Sequence, residues 1–256
     1  MDSLLVERDG GVLTLTLNRP ERRNAMTPDM WVELRRLLAE AASDRAERVV
    51  VLTGAGGAFC SGVDLASLGE SQDHQLVRMR LVSDAVLELH RLPKPTIAKV
   101  TGIAAGAGCN LALACDLVVA SESARFSQLF AKRGLSIDSG GSWLLPRMVG
   151  LHRAKELAFF ADTLDASQAR DLGLVNRVVP DAEVDALVGE WSARLAAGPP
   201  LALAMTKSML NASGSLSMDQ ALDEEARAQA LNATTADARE AMRAFAEKRP
   251  PRFEGR

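Results

Sequence analysis

Two short segments of the chain leave backbone amides bare. One is Ala58-Phe-Cys-Ser-Gly-Val-Asp-Leu65; the other is Thr101-Gly-Ile-Ala-Ala-Gly-Ala-Gly-Cys-Asn110. Each follows a β-branched apolar run where a strand should end, and each sets glycine among small residues. A ligand can then approach N–H groups with no side chain in the way. Two such spots suit two donors converging on one developing negative charge, the arrangement called an oxyanion hole. Other uses of glycine compete. Neither segment contains Gly-Lys-Ser/Thr, which excludes a P-loop, and Gly102-x-x-x-Gly106-x-Gly108 has the wrong spacing for a dinucleotide fingerprint. Close helix–sheet packing explains either segment alone, but the pair less readily.

The elements that must position these segments are legible in outline. Residues 12–17 alternate with period two and read as a strand, hairpinned to 4–8 through Asp9-Gly10-Gly11. Thr27 and Pro28 supply an N-cap and a first-turn proline for a helix to about residue 42. Buried strands are expected at 49–52, 96–100 and 116–120. A helix should cover roughly 73–91, halted by Pro93 and Pro95, and a small-residue helix should follow the 102–108 bend. Strand, glycine bend, helix, strand is the rhythm of parallel βαβ units. From about residue 150 helical spacing dominates, over 151–160, 184–197, 201–212, 217–231 and 236–248, with one strand at 175–179. Pro250-Pro251 should close the ordered part. The fold class is therefore α/β, with an α/β core over 1–195 and a helical region over 196–256.

The 256 residues are 47% hydrophobic and 25% charged, ordinary for a globular chain with a sizeable core. A net charge of −3 favours neither nucleic acid nor an anionic membrane. Apolar runs are too short to span a bilayer, and the charged N-terminus does not resemble a signal peptide, so a cytoplasmic chain is expected. Cys60, Cys109 and Cys115 lack metal-ligand spacing and are odd in number, so neither a metal site nor a disulfide framework is expected. His74, His90 and His152 lie in helix-like segments outside the glycine motifs.

Phe59-Cys-Ser-Gly-Val-Asp-Leu65 resembles the Phe-x-Ala-Gly-x-Asp-Leu signature of the enoyl-CoA hydratase/isomerase (crotonase) superfamily, and 102–116 resembles its second signature. Asn18-Arg-Pro-Glu-Arg-Arg-Asn-Ala-Met26 and Phe245-Ala-Glu-Lys-Arg-Pro-Pro-Arg-Phe253 are similar to further family segments. The resemblance implies a crotonase-like ββα spiral core with a helical C-terminal trimerisation region. It also implies an acyl-CoA thioester as substrate, with no separate cofactor, and a homotrimer or dimer of trimers. The thioester oxygen would be held by the N–H groups of Val63 and Ala107, within the glycine frames of Gly62, Gly106 and Gly108. Coenzyme A would meet Arg22, Arg23, Ala25, Asp64 and Leu65, while Phe245 and Lys248 would reach the CoA of a neighbouring subunit.

The resemblance breaks at the residues that matter for hydration. Hydratases of the family carry two glutamates, and this chain has Asn110 and Phe130 at those positions. Neither an amide nor a phenyl ring shuttles a proton at neutral pH. Asp138 stands where hydratases have glycine and where isomerases of the family often carry aspartate. It would be a base for 1,3-proton transfer or, read locally, a cap for the helix that follows. Three other readings stay open: a hydratase with non-standard acid/base residues, a catalytically weak acyl-CoA-binding paralogue, and a dehalogenase with Asp138 as nucleophile and His90 as a remote base. Met79, Leu81, Val82, Phe130, Trp143 and Leu144 would line the acyl pocket or belong to the core.

Overall fold

A computed structural model describes residues 2–64, 66 and 74–256. β1 (Leu4–Asp9) and β2 (Val12–Leu17) form the expected antiparallel hairpin. β2 then pairs in parallel with β3 (Val49–Gly54), β3 with β4 (Thr96–Val100), β4 with β6 (Leu117–Ser121), and β6 with β9 (Arg177–Val179). The order of this six-stranded sheet is β1-β2-β3-β4-β6-β9. Period-two alternation sorts its side chains. Val50, Leu52, Ala98, Val100, Val118 and Ala120 join the main core, while Val49, Val51, Ile97 and Val119 meet Val184 and Val188 on the opposite face. The latter two belong to α6 (Val184–Ala196).

A second layer is built from short strands, two of which follow directly on strands of the large sheet while the third follows a helix. β5 (Ile103–Ala105), β7 (Arg125–Ser127) and β8 (Thr163–Asp165) form a three-stranded sheet. Isolated parallel bridges Met26–Val63 and Cys60–Ala104 continue the layer. Each turn of chain thus places one strand in the large sheet and one short pairing in the small layer before the next helix. This is a spiral of ββα turns.

α1 (Pro28–Ser43) begins as the sequence implies, with Thr27 Oγ1 accepting from Met30 N at 3.3 Å. α2 (Gln75–Arg91) is capped by His74, whose side chain accepts from Leu76 N, and it ends before Pro93. The expected start at 73 lies outside the described residues. The main core lies between the large sheet, the small layer and the buried faces of α1, α2 and α3 (Ala107–Leu113). α4 (Gly141–Phe160) is interrupted at Gly150, where φ is 76° and ψ 163°.

Three features depart from the reading of the sequence. The 102–108 stretch contains β5, and β7 and β8 were not anticipated, because three residues are too few to show a period. The stretch after residue 160 is not simply helical: β8 and α5 (Ala166–Asp171) intervene. Pro250-Pro251 does not close the ordered part. Asp237 accepts from Glu254 N and Gly255 N at 2.7 and 2.9 Å, and Arg48 donates to Phe253 O, so the tail is tied back to the body. α7 (Pro200–Ala212), α8 (Met218–Ala233) and α9 (Ala236–Ala246) form the helical C-terminal region. No described helix is long and apolar enough to cross a membrane.

Candidate functional site

The two glycine segments meet. Phe59 N and Cys60 N donate to Ile103 O, and Ala105 N donates back to Cys60 O at 2.9 Å. This pairing needs bare backbone on both sides. A Cβ on Gly108 would fall 2.3 Å from Cys60 O, and one on Gly62 would fall 3.0 Å from Ala105 O and 3.7 Å from Ala107 N. Gly62 and Gly106 also adopt φ values of 103° and 54°, which disfavour any side chain. The peptides of Val63 and Ala107 are therefore close neighbours. Among the described residues neither N–H has a hydrogen-bond acceptor, although Gly62 O and Asp64 N on either side of Val63 are both paired with Met26. Two unpaired donors side by side are suited to one shared oxyanion.

Asp138 arrives from the loop before α4. Val63 and Asp138 line one cavity of about 280 Å³, with Met26, Trp31, Met79 and Val82 among its walls. Burial pushes the Asp138 carboxyl above its ordinary value, and the 2.8 Å hydrogen bond from Ser139 Oγ opposes that only in part. The carboxylate does not cap α4. The N-cap is Gly140, with no side-chain bond, and Gly141 N donates to the Asp138 backbone carbonyl instead. The carboxylate is thus left to the cavity, held in place by Ser139.

A third element frames the entrance. Asn24, fully buried, donates from Nδ2 to Ala55 O and Ala58 O at 2.9 and 2.7 Å and accepts from Arg19 N at 2.9 Å. It sits at φ 56°, a left-handed conformation that asparagine tolerates better than most residues. Ser61 ties the same loop to the first glycine segment through Arg22 O and Arg23 O. Arg22 and Arg23 stay exposed and available to an anion. Ala25 is buried, its carbonyl accepting from Arg19 Nη1 at 2.7 Å. Asp64 is ion-paired with Arg19 at 2.8 Å: burial raises its proton affinity, but Arg19, the Ala66 N–H and the charge of Arg22 together hold it below the usual range. Leu65 lies outside the described residues. Residue pattern alone assigned no role to Asn24 or Arg19; an asparagine after two arginines in a tight turn was the available signal. Asn24→Ala strands the buried Ala58 carbonyl, the part-buried Ala55 carbonyl and one N–H, and should destabilise the fold by about 3 kcal/mol. Chemical denaturation reads this, and an unchanged midpoint would refute it.

The remaining sequence candidates separate. Met79, Leu81 and Val82 line the Asp138 cavity. Trp143 and Leu144 instead line a second cavity of about 770 Å³ with His90 and Lys207, where the His90 ring meets Trp143 edge-on at 5.2 Å. His90 therefore does not share the Asp138 cavity. Phe130 is buried, its ring 3.7 Å from where a Gly106 Cβ would stand, so it backs the second segment rather than lining the cavity. Phe245 is 87% exposed on α9, and Lys248 follows that helix at φ 54°. Neither lines the cavity. The three cysteines are buried thiols pushed up to about 12, unreactive filler as expected of small apolar residues.

Residues 7–256 match the family model for enoyl-CoA hydratase/isomerase. The 1,2-epoxyphenylacetyl-CoA isomerase of Escherichia coli K12 is 40% identical over 261 residues, covering 100% of both chains. The short-chain-enoyl-CoA hydratase of Clostridium acetobutylicum is 34% identical over 251 residues, covering 97% of this chain and 96% of its own. The crystal structure of an enoyl-CoA hydratase from Bacillus anthracis superposes with a TM-score of 0.96 at 31% identity, covering 100% of each chain.

Proposed function

The chain belongs to the enoyl-CoA hydratase/isomerase family and has its crotonase-like fold, and we propose that within this family of acyl-CoA enzymes it moves the double bond of an enoyl-CoA. The observation that carries this reading is the carboxylate of Asp138 in the Val63 cavity, the one carboxylate among the described residues that line it, while positions 110 and 130 hold an amide and a phenyl ring. Water addition needs groups that position and activate a water; a 1,3-proton shift needs one base on one face.

In the proposed reaction the thioester carbonyl oxygen accepts from the N–H groups of Val63 and Ala107. Polarised in this way, the acyl chain becomes acidic next to the double bond. Asp138 takes a proton from one carbon, the electrons move onto the thioester oxygen as a dienolate, and Asp138 returns the proton two carbons along. One oxyanion donor is worth on the order of 3 kcal/mol of transition-state stabilisation. Burial of Asp138 serves this chemistry by making its carboxylate a stronger base than an exposed aspartate. No proton, electron or group is left over, so the coenzyme A thioester is substrate and no other cofactor enters.

Coenzyme A would be met by the exposed Arg22 and Arg23, on the loop that Asn24 fixes beside the first glycine segment. Ala25 and Asp64 contribute as part of that loop. Phe245 and Lys248 would serve the site of a neighbouring copy in a trimer or dimer of trimers. The 87% exposure of Phe245, with Met242 and Leu231 also exposed nearby in sequence, supports that assignment.

A panel of 2-enoyl and 3-enoyl thioesters tests the reading. Conversion of the 3-enoyl isomers should appear as a rise in conjugated-thioester absorbance, with water addition to the 2-enoyl isomers slower by tenfold or more. Rapid hydration without double-bond shift would make the protein a hydratase. Thermal stabilisation by acyl-CoA with neither activity would make it a binding protein. Either result overturns the proposal.

A further inference from the structure

Asn110 has no exposed surface, and both ends of its amide are engaged. Nδ2 donates to the Asp138 carbonyl oxygen at 2.8 Å, and Oδ1 accepts from Gln128 Nε2 at 2.8 Å. The direction of this chain is forced. A backbone carbonyl only accepts, so Nδ2 must face Asp138, Oδ1 must face Gln128, and Gln128 must present its NH₂. The consequence is visible at the far end, where Gln128 Oε1 is buried without a donor among the described residues. A fold that leaves a buried acceptor unsatisfied to keep this direction is constrained by the Asp138 end.

Two further observations concern the same junction. A Cβ on Gly141 would fall 2.4 Å from Asn110 Nδ2, so glycine at the start of α4 is what lets the amide reach the loop. Ser139, buried and hydrogen-bonded to the Asp138 carboxylate, has φ 51°, a conformation that a residue with a side chain seldom holds unaided. The Asp138 carbonyl just before it receives two donors, Gly141 N and Asn110 Nδ2. The loop is held in a shape that it would not keep alone.

We infer that Asn110 is a positioning residue: with Gln128 it clamps the Asp138 carbonyl and so fixes where the carboxylate stands relative to the Ala107 amide. Ala107 and Asn110 are one turn apart on α3, so a single rigid turn carries both a donor amide and the clamp on the base. This inference rests on the reading of Asp138 as the base. It also gives position 110 a definite occupation. A glutamate there would aim a carboxylate at a carbonyl oxygen, so Asn110→Glu should lose isomerisation without gaining hydration.

The test uses Asn110→Ala, Gln128→Leu, Asp138→Asn and the Asn110→Ala/Asp138→Asn double variant of the full chain. Isomerisation kinetics are read beside the dissociation constant for butyryl-CoA, a saturated thioester that cannot isomerise. Asn110→Ala and Gln128→Leu should each lower kcat by about 10- to 100-fold, the scale of an ångström-size misplacement. KM and butyryl-CoA affinity should stay within about twofold. In the Asp138→Asn background, Asn110→Ala should cost nothing more, because it acts through the carboxylate. Wild-type kcat in both single variants overturns the clamp, as does an equal further loss in the Asp138→Asn background. If Asp138→Asn alone turns over like wild type, the reading of the base has failed, and the clamp falls with it. Gln128→Leu leaves Asn110 in place and decides the matter if Asn110→Ala does not fold.

Discussion

Asp138→Asn should lower kcat for double-bond migration by on the order of 10³-fold, the usual size of a lost general base, while acyl-CoA still binds. Asparagine keeps the shape and can still accept from Ser139, so a loss of turnover reports proton transfer rather than packing. The same variant should be more stable at neutral pH. Burial raises the carboxyl in the folded chain above its ordinary value of 3.8. The native state therefore binds this proton more tightly than the unfolded chain does. The stabilisation it provides is complete below the unfolded value and is lost as pH rises through the folded one. An ionised Asp138 thus costs stability at pH 7, and an amide does not. Melting temperatures should favour Asp138→Asn at pH 7 and converge with wild type in acid. The wild-type profile of kcat/KM should fall on an acid limb above the range of an exposed aspartate, since only the ionised form is a base. Undiminished turnover in the variant, or an acid limb at the ordinary value, would remove Asp138 from the mechanism.

Ala107→Pro should cost on the order of 10²- to 10³-fold in kcat by deleting one of the two donor amides. A backbone N–H is seldom open to mutation, but the position of Ala107 makes it so here. It is the first residue of α3, where no intrahelical bond uses the N–H and proline is tolerated. Circular dichroism and the melting transition should therefore stay near wild type while turnover collapses. Wild-type turnover in a folded Ala107→Pro protein would show that this amide holds no oxyanion. A variant that loses both fold and activity would be followed by Gly62→Ala. There a strained φ of 103° and a 3.0 Å contact with Ala105 O displace the Val63 peptide instead.

Much of this arrangement could be read from the residues. The Thr27-Pro28 cap, the period-two hairpin and the parallel strands expected at 49–52 and 96–100 appear where local pattern puts them, the first running on to Gly54, because propensity and burial agree there. The small layer was not legible. β5, β7 and β8 are three residues each and exist only because neighbouring turns of the spiral present matching edges. Trp143 and Leu144 were as plausible an acyl lining as Met79 and Val82. Which cavity a buried apolar side chain faces depends on how α2 and α4 pack, and composition carries no record of that.

Two bare-amide segments and one aspartate before a helix were legible from residue type and spacing, and the family resemblance marked residues 110 and 130 as positions without glutamate. How the groups face one another came only from the packing of the spiral. It brought the Gly62 backbone beside that of Ala107, left α4 without a side-chain cap from Asp138, and joined Asn110 to both Gln128 and the Asp138 carbonyl. What separates the two is reach. A hydrogen bond is satisfied or lost over a few tenths of an ångström, and residues 18 and 28 positions apart meet at that distance only once the spiral has closed.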